Sequence, residues 1–208
     1  QGQPACASDP SQRTLVVWSD GRNGGTFGAT FDIYGQWLDP TGAPIGGNFK
    51  INDAAGVQNA TSPDVAASAD GYVVVWLDKR RSGDPNDVWT QRYAVDGTPL
   101  GVNARVNDDP AGNDQRFVHA ADTRTGAMIV WEDLRSGLGL DSNVEGAIVP
   151  WNAAPPGANY RVNLATPARQ ANPEVGWDGF VASAVVWAQL ARGSTDIPAA
   201  PIRPGGTP

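Results

Sequence analysis

The chain has 208 residues, of which 40% are hydrophobic and 18% are charged, and this composition excludes both a disordered chain and a membrane-embedded one. The formal net charge of −7 repels phosphate backbones, so nucleic acid is excluded as an expected partner. No run of about 18 apolar residues occurs, so the sequence predicts no membrane span. The 25 glycines and 17 prolines indicate many turns between short strands.

One segment recurs four times along the chain. Each copy is an apolar run that ends in a tryptophan, and these tryptophans are Trp18, Trp76, Trp131 and Trp187. In the first three copies the run continues as Trp-x-Asp-x-Arg. The spacings of 58, 55 and 56 residues are too regular for chance, so the sequence predicts four copies of one structural unit.

Each unit is predicted to contain four short strands in the same order. Small residues form the first strand, at 4–8, 63–68, 117–121 and 173–177, and the apolar tryptophan strand follows it. The third strand contains Asp-Ile-Tyr-Gly-Gln at 32–36, with counterparts at 87–91, 143–147 and 196–200. The fourth strand ends in Asn and lies at 49–52, 104–107 and 160–163. No segment has a helical period.

Four antiparallel strands in a unit of about 55 residues are the pattern of a propeller blade. The sequence therefore predicts an all-β fold, a four-bladed β-propeller that forms a single domain over residues 1–208. The blades are expected at approximately 3–53, 62–108, 116–164 and 172–208, with the tryptophans filling the seams between them. A pair of β-sandwiches would also explain the strands, but it would not explain the period.

The fourth unit ends after its third strand, so the last blade is predicted to be incomplete. Pro198, Pro201 and Pro204 lie along its open edge, and each proline removes a backbone donor. This edge is either blunted against further pairing or completed by a strand of a partner protein, of a second copy, or of chain beyond residue 208.

The polar residues repeated beside the tryptophan strand are interpreted as structural staples. They flank the hairpin that joins the second and third strands, where an arginine clamped between acceptors would tie the hairpin together. A metal or ligand site repeated in every blade is the alternative. The predicted staples are Asp20, Arg22, Asp32, Asp78, Arg80, Asp87, Asp133 and Arg135.

No cofactor is predicted, and no residues are assigned as metal ligands. The chain has one histidine and one cysteine, which excludes a Cys/His cluster for zinc or haem. Calcium stays a candidate because acidic loops supply oxygen ligands, either Asp84 with Asp87 or Asp108 with Asp109.

No catalytic residues are predicted either. Most acids are repeat copies expected on separate blades, and the others, Glu132, Glu145 and Glu174, form no recognisable pair. The innermost strands are aligned so that His119 matches Cys6, Val65 and Val175. In this alignment His119 is interpreted as a packed, hydrogen-bonded residue and Cys6 as a buried thiol.

Three tryptophans occur in one unit each and are the candidate ligand-binding residues. They are Trp37, Trp151 and Trp177, whose rings could stack on a sugar.

The string Val-Val-Trp-x-Asp-x-Arg, followed by Asp-Ile-Tyr-Gly-Gln and Asp-Pro-Thr-Gly-Ala-Pro-Ile-Gly, resembles the repeats of secreted and cell-surface bacterial β-propeller proteins. The resemblance covers nearly the whole chain, although the fourth unit departs from it at Gln189 and Pro198. It implies a secreted, extracellular, cell-surface or periplasmic location, and it brings no catalytic residues.

The predicted function is therefore a non-catalytic extracellular module that binds other macromolecules or assembles with them, for example as a subunit of a surface fibre or coat. Its expected partners are a protein, a second copy of the chain, or a glycan. A carbohydrate-binding lectin is the first alternative. A glycan-active enzyme with its site at the central channel is the second.

Overall fold

A computed structural model describes residues 1–24, 30–54, 59–80, 85–110, 112–135, 142–164, 168–179, 183–191 and 194–202. These ranges contain sixteen β-strands and no helix, and hence no helix long and apolar enough to cross a membrane. In chain order the strands are β1 (Gly2–Ser8), β2 (Thr14–Asp20), β3 (Asp32–Leu38), β4 (Pro44–Lys50), β5 (Ala60–Ser68), β6 (Gly71–Asp78), β7 (Asp87–Tyr93), β8 (Pro99–Arg105), β9 (Gln115–Asp122), β10 (Gly126–Asp133), β11 (Asn143–Pro150), β12 (Tyr160–Arg161), β13 (Arg169–Trp177), β14 (Ser183–Ala191), β15 (Ser194–Asp196) and β16 (Ala199–Ile202).

The strands form four antiparallel sheets, which are the blades of a propeller. Blade 1 has the order β1-β2-β3-β4, blade 2 has β5-β6-β7-β8, and blade 3 has β9-β10-β11-β12. Tight turns join neighbouring strands; in one of them Asp39 accepts from the backbone N–H groups of Thr41 and Ala43, and Gly42 has a φ of 83°. The predicted four-bladed all-β fold is thereby confirmed.

The apolar tryptophan strands form the seams between blades. Strands β6 and β10 are buried over their whole length because a neighbouring blade covers each face. Trp76 packs in one cluster with Leu15 and Val17 of blade 1, and Trp131 packs in another with Val73 and Val75 of blade 2. The tryptophan of each of these blades therefore fills the seam with the preceding blade.

Blade 4 continues this arrangement on one face only. Trp187 and Val185 pack against blade 3, whereas Val186 and Leu190 on the other face of β14 are 37% and 38% exposed. Among the described residues, the hydrophobic clusters join blade 1 to blade 2, blade 2 to blade 3 and blade 3 to blade 4. None of these clusters joins blade 4 to blade 1, so the fourth seam of the ring is open.

The outer face of blade 1 lies on the other side of this open seam. Trp18 is only half-buried there, whereas Trp76 and Trp131 are 0% exposed. Cys6 is exposed on the same face, opposite Val16. The prediction of a buried Cys6 thiol is therefore wrong, because no blade packs over this face of blade 1.

The last blade is three strands deep within the described residues, as predicted. Strands β15 and β16 both pair with β14, at its two ends, and so form two halves of one third strand. The break between them contains Pro198, whose carbonyl oxygen accepts from the backbone N–H of Trp187 at 3.2 Å. Pro201 lies in β16 opposite Ala184, and Pro204 lies outside the described residues.

Candidate active site

The innermost strand of every blade contains a β-bulge at the same place. The pairing of β1, β5, β9 and β13 with the next strand shifts register there. At the bulge a residue other than glycine has a left-handed backbone conformation, with φ values of 53°, 53°, 51° and 49° for Gln3, Ser62, Phe117 and Asn172. Such a conformation costs about 1–3 kcal/mol, and bulges of this kind redirect side chains next to functional sites.

Two positions after the bulge, three blades carry ionisable side chains. These residues are Asp64, His119 and Glu174, at intervals of 55 residues, and each pairs with the residue just before its seam tryptophan. Blade 1 has Ala5 at this position, opposite Val17. Equivalent positions on the inner strands of consecutive blades face the same central channel, so the three side chains meet there beside a small alanine.

The imidazole of His119 lies between the two carboxylates. Its Nδ1 atom is 3.4 Å from Oδ2 of Asp64 and 3.4 Å from Oε2 of Glu174. These two carboxylate oxygens are therefore no farther apart than twice 3.4 Å. That limit admits the separation of roughly 5 Å found in retaining glycosidases and reaches the lower end of the range, roughly 6.5–9.5 Å, found in inverting ones.

The two carboxylates differ in mobility. The oxygens of Asp64 accept backbone hydrogen bonds from Val65 at 2.8 Å and from Ala120 of blade 3 at 2.9 Å, which hold this carboxylate in place. Glu174, in contrast, has a side chain that is 63% exposed. The site thus combines one fixed carboxylate with one that can move toward a ligand.

The carboxylates also determine the charge of the imidazole. The hydrogen bond with Asp64 raises the pKa of His119 above its ordinary value, and the negative charge of Glu174 raises it further, while burial acts in the opposite direction. The imidazole therefore keeps its proton to a higher pH than a free histidine does.

The sequence alignment placed the innermost strands one residue out of register. The structural equivalents of His119 are Asp64 and Glu174, whereas Val65 and Val175 are one position farther along. This error separated three residues that belong together. Their uniform spacing of 55 residues is the sequence signal that would have identified them.

The first acid of each predicted staple binds its seam tryptophan. The carboxylates of Asp20, Asp78 and Asp133 accept from the indole Nε1 atoms of Trp18, Trp76 and Trp131 at 2.8, 3.0 and 3.1 Å. Each carboxylate also binds the arginine two positions later, Arg22, Arg80 or Arg135, at 2.6, 2.7 and 2.9 Å. The ion pair with Arg22 holds the pKa of Asp20 far below its usual range.

The arginines connect blades as well as hairpins. Arg80 reaches Asp53 of blade 1 at 2.7 Å, and Arg135 reaches Asp108 of blade 2 at 3.0 Å. Each arginine therefore bridges its own hairpin and the loop after the last strand of the preceding blade.

The second acid of the motif has a different partner from the one expected. Asp32 binds Lys50 at 2.7 Å, and Asp87 accepts from Asn107 at 2.8 Å with Arg105 at 3.6 Å. These acids connect the third strand to the fourth, so the expected clamp of one arginine between both acids of its hairpin does not form in blades 1 and 2.

The three candidate tryptophans lie in two different environments. Trp37 is 7% exposed and packs edge-on against Tyr72 and Tyr93, with ring centroids at 4.8 and 5.8 Å. It is therefore a core residue of the seam between blades 1 and 2, which corrects its assignment to ligand binding. Trp151 and Trp177 both line one cavity at an end of the channel.

The described residues contain no group of three or more His, Cys, Asp or Glu side chains that could hold a metal ion. Of the calcium candidates, Asp108 is paired with Arg135, and the buried Asp109 accepts from Gln115 at 3.3 Å. Asp84 lies outside the described residues.

No protein-family model and no curated protein matches the chain significantly. Solved structures do match it. The chain is similar to the α-L-arabinanase of Penicillium chrysogenum complexed with arabinobiose, with a TM-score of 0.64 and 13% identity over 95% of this chain and 61% of that one. It is also similar to an endo-arabinase from Bacteroides thetaiotaomicron, with a TM-score of 0.59 and 14% identity over 99% of this chain and 77% of that one. For an α-L-arabinofuranosidase from Lactobacillus brevis the TM-score is 0.55, with 9% identity over 99% and 74% of the two chains. At these identities the similarity shows the β-propeller fold alone.

The expectation of a non-catalytic module without enzyme activity is wrong. Proteins of this fold include an arabinanase, an endo-arabinase and an arabinofuranosidase, so a propeller of this kind does not indicate a binding or structural role. The inner strands also bring three different ionisable groups to one point, which identical repeat copies would not do. The reading as a subunit of a surface fibre or coat is withdrawn for the same reasons.

Proposed function

We propose that the chain is a glycan-active enzyme that hydrolyses glycosidic bonds at the central channel. The convergence of Asp64 and Glu174 on the imidazole of His119 is the observation that supports this proposal most directly. Glycoside hydrolysis needs two carboxyl groups on one glycosidic bond, and these two come from different blades at a suitable separation. The similarity in fold to arabinanases and an arabinofuranosidase makes arabinan the first substrate to test.

The environments of the carboxyl groups suggest separate roles. Asp64 is fixed by two backbone N–H groups and suits the base, while the exposed Glu174 can approach the sugar and suits the acid. A water oxygen would bond to the anomeric carbon as the bond to the leaving oxygen breaks. Asp64 would take the proton from the water, and Glu174 would give its proton to the leaving oxygen. His119 would act as a positioning residue that keeps both carboxylates near the reacting atoms.

An extracellular location is part of the same proposal, because polysaccharides of the arabinan type are met outside the cytoplasm. The repeat motif shared with secreted bacterial propellers supports this location independently of the site.

The test is release of reducing ends from a panel that begins with arabinan and arabino-oligosaccharides. We expect Asp64→Asn and Glu174→Gln to reduce the rate by about 100-fold or more, which is the usual contribution of a general acid or base. Asp96→Asn changes an exposed turn carboxylate far from the channel and serves as the matched control. The proposal fails if the wild-type protein cleaves no glycan of the panel, or if both variants keep the wild-type rate.

A further inference from the structure

A second concave site lies at one end of the channel, apart from the Asp64–His119–Glu174 cluster. This cavity has a volume of about 460 Å³. All four blades contribute to its lining at the turns that follow their inner strands, for example through Ser8, Ser68, Asp122 and Trp177. Trp177 is three residues beyond Glu174 on β13, so the cavity begins roughly 10 Å farther along the channel. The cavity and the candidate active site are therefore separate.

Two indole rings form the apolar part of the cavity wall. Trp151 is 7% exposed and is held in place by a hydrogen bond from its Nε1 to the carbonyl oxygen of Thr123 at 3.3 Å. Trp177 is half-buried and belongs to none of the hydrophobic clusters of the described residues. The packing of the blades thus does not account for a large aromatic side chain at this position.

The opposite character is supplied by carboxylates. Asp122 and Asp70 both line the cavity, and burial together with the negative charge of Asp70 raises the pKa of Asp122 to about 6. The Oδ1 atom of Asp122 is buried without a hydrogen-bond partner. Such an acceptor destabilises the folded protein by about 1–3 kcal/mol, and a donor group of a bound ligand would offset this cost.

We propose that this cavity is a non-catalytic saccharide-binding site, in which a sugar ring lies against Trp177 and its hydroxyl groups donate to Asp122 and Asp70. A sugar matches the cavity because it combines an apolar ring face with several hydroxyl donors. The volume is within the range of roughly 300–1,000 Å³ of small-ligand sites. Arg124 also lines the cavity, and its positive charge opposes a cationic ligand while it can donate to a sugar oxygen.

The experiment measures binding of soluble polysaccharides, beginning with arabinan, by affinity electrophoresis in an Asp64→Asn background where hydrolysis is absent. We expect that background to keep its binding and Trp177→Ala to weaken it by at least tenfold. Asp122→Asn should also weaken binding and controls for a folding defect of the tryptophan variant. Tyr34→Ala removes a half-exposed ring on blade 1, away from the cavity, and should bind like the background.

The outcomes separate this proposal from the proposed function. The cavity proposal is overturned if Trp177→Ala and Asp122→Asn both bind like the background, or if no polysaccharide binds. Loss of binding in Asp64→Asn itself would assign the glycan to the central cluster and also overturn it. Hydrolysis by the wild-type protein is measured independently, so either proposal can fail while the other stands.

Discussion

The carboxylate of Asp78 accepts a hydrogen bond from the indole of Trp76 at 3.0 Å, and both side chains are 0% exposed. Arg80 binds the same carboxylate at 2.7 Å and reaches into the preceding blade through Asp53. The motif Trp-x-Asp-x-Arg is therefore one hydrogen-bonded unit that attaches the seam tryptophan to the neighbouring blade.

Replacement of Asp78 by alanine should destabilise the protein by about 3 kcal/mol, because it leaves a buried indole N–H and a mostly buried guanidinium without their acceptor. The free energy of unfolding in urea measures this change. Lys79→Ala, at the exposed neighbouring position, is the control and should alter it by less than about 0.5 kcal/mol. Equal effects of the two substitutions would contradict the assigned role of Asp78.

The open fourth seam predicts unequal effects of two equivalent substitutions. Trp131→Ala should destabilise the protein by about 3–5 kcal/mol, because the ring is fully enclosed between blades 2 and 3. Trp18→Ala should have a clearly smaller effect, since Trp18 is half-buried on the outer face of blade 1. Urea unfolding of both variants tests this difference, and equal losses would mean that the fourth seam is packed in solution.

The pairing of His119 predicts a pH dependence of stability. Its pKa is raised in the folded protein above the value of 6.5 expected without these contacts. The stabilisation is therefore complete below pH 6.5 and is lost as the pH rises through the pKa of the folded state. Unfolding free energies measured from pH 5.5 to 9 should decline over this window in the wild-type protein and decline less in His119→Gln.

NMR offers a direct check on the same residue, because the chain has a single histidine and hence one imidazole titration curve. Its midpoint should lie above 6.5 in the wild-type protein. It should fall toward the ordinary value in Glu174→Gln, which removes one of the two negative charges. A midpoint below the ordinary value would contradict the contacts at Nδ1.

The exposed Cys6 predicts ready modification of the native protein. A thiol-specific disulfide reagent should modify one equivalent without denaturant, since Cys6 is exposed and is the only cysteine. The rate should be within about tenfold of the rate in urea, because accessibility and thiolate fraction govern this reaction. A native rate slower by several orders of magnitude would place another segment over the face that contains Cys6.

The fold could be predicted from the sequence because its signals are local and repeated. The apolar runs that end at Trp18, Trp76, Trp131 and Trp187 require burial on both faces, and a strand within a ring of blades provides it. The incomplete last blade was also predictable, since the prolines after Asp196 interrupt ladder pairing. The same repetition misled the functional prediction, because acids expected as copies of one staple concealed the differences along the innermost strand.

The candidate site could not be predicted in the same way, because it depends on a bulge. One extra residue in each inner strand moves His119 into register with Asp64 and Glu174, and no propensity of single residues signals that shift.

The amino-acid sequence alone determined that the chain forms four similar four-stranded units, of which the last is cut short, since strand period and turn chemistry act over short distances. Only the tertiary structure decided which positions meet at the channel and which seam stays open. Both depend on how whole blades pack against one another, and contacts between residues 55 positions apart leave no local pattern for the sequence to display.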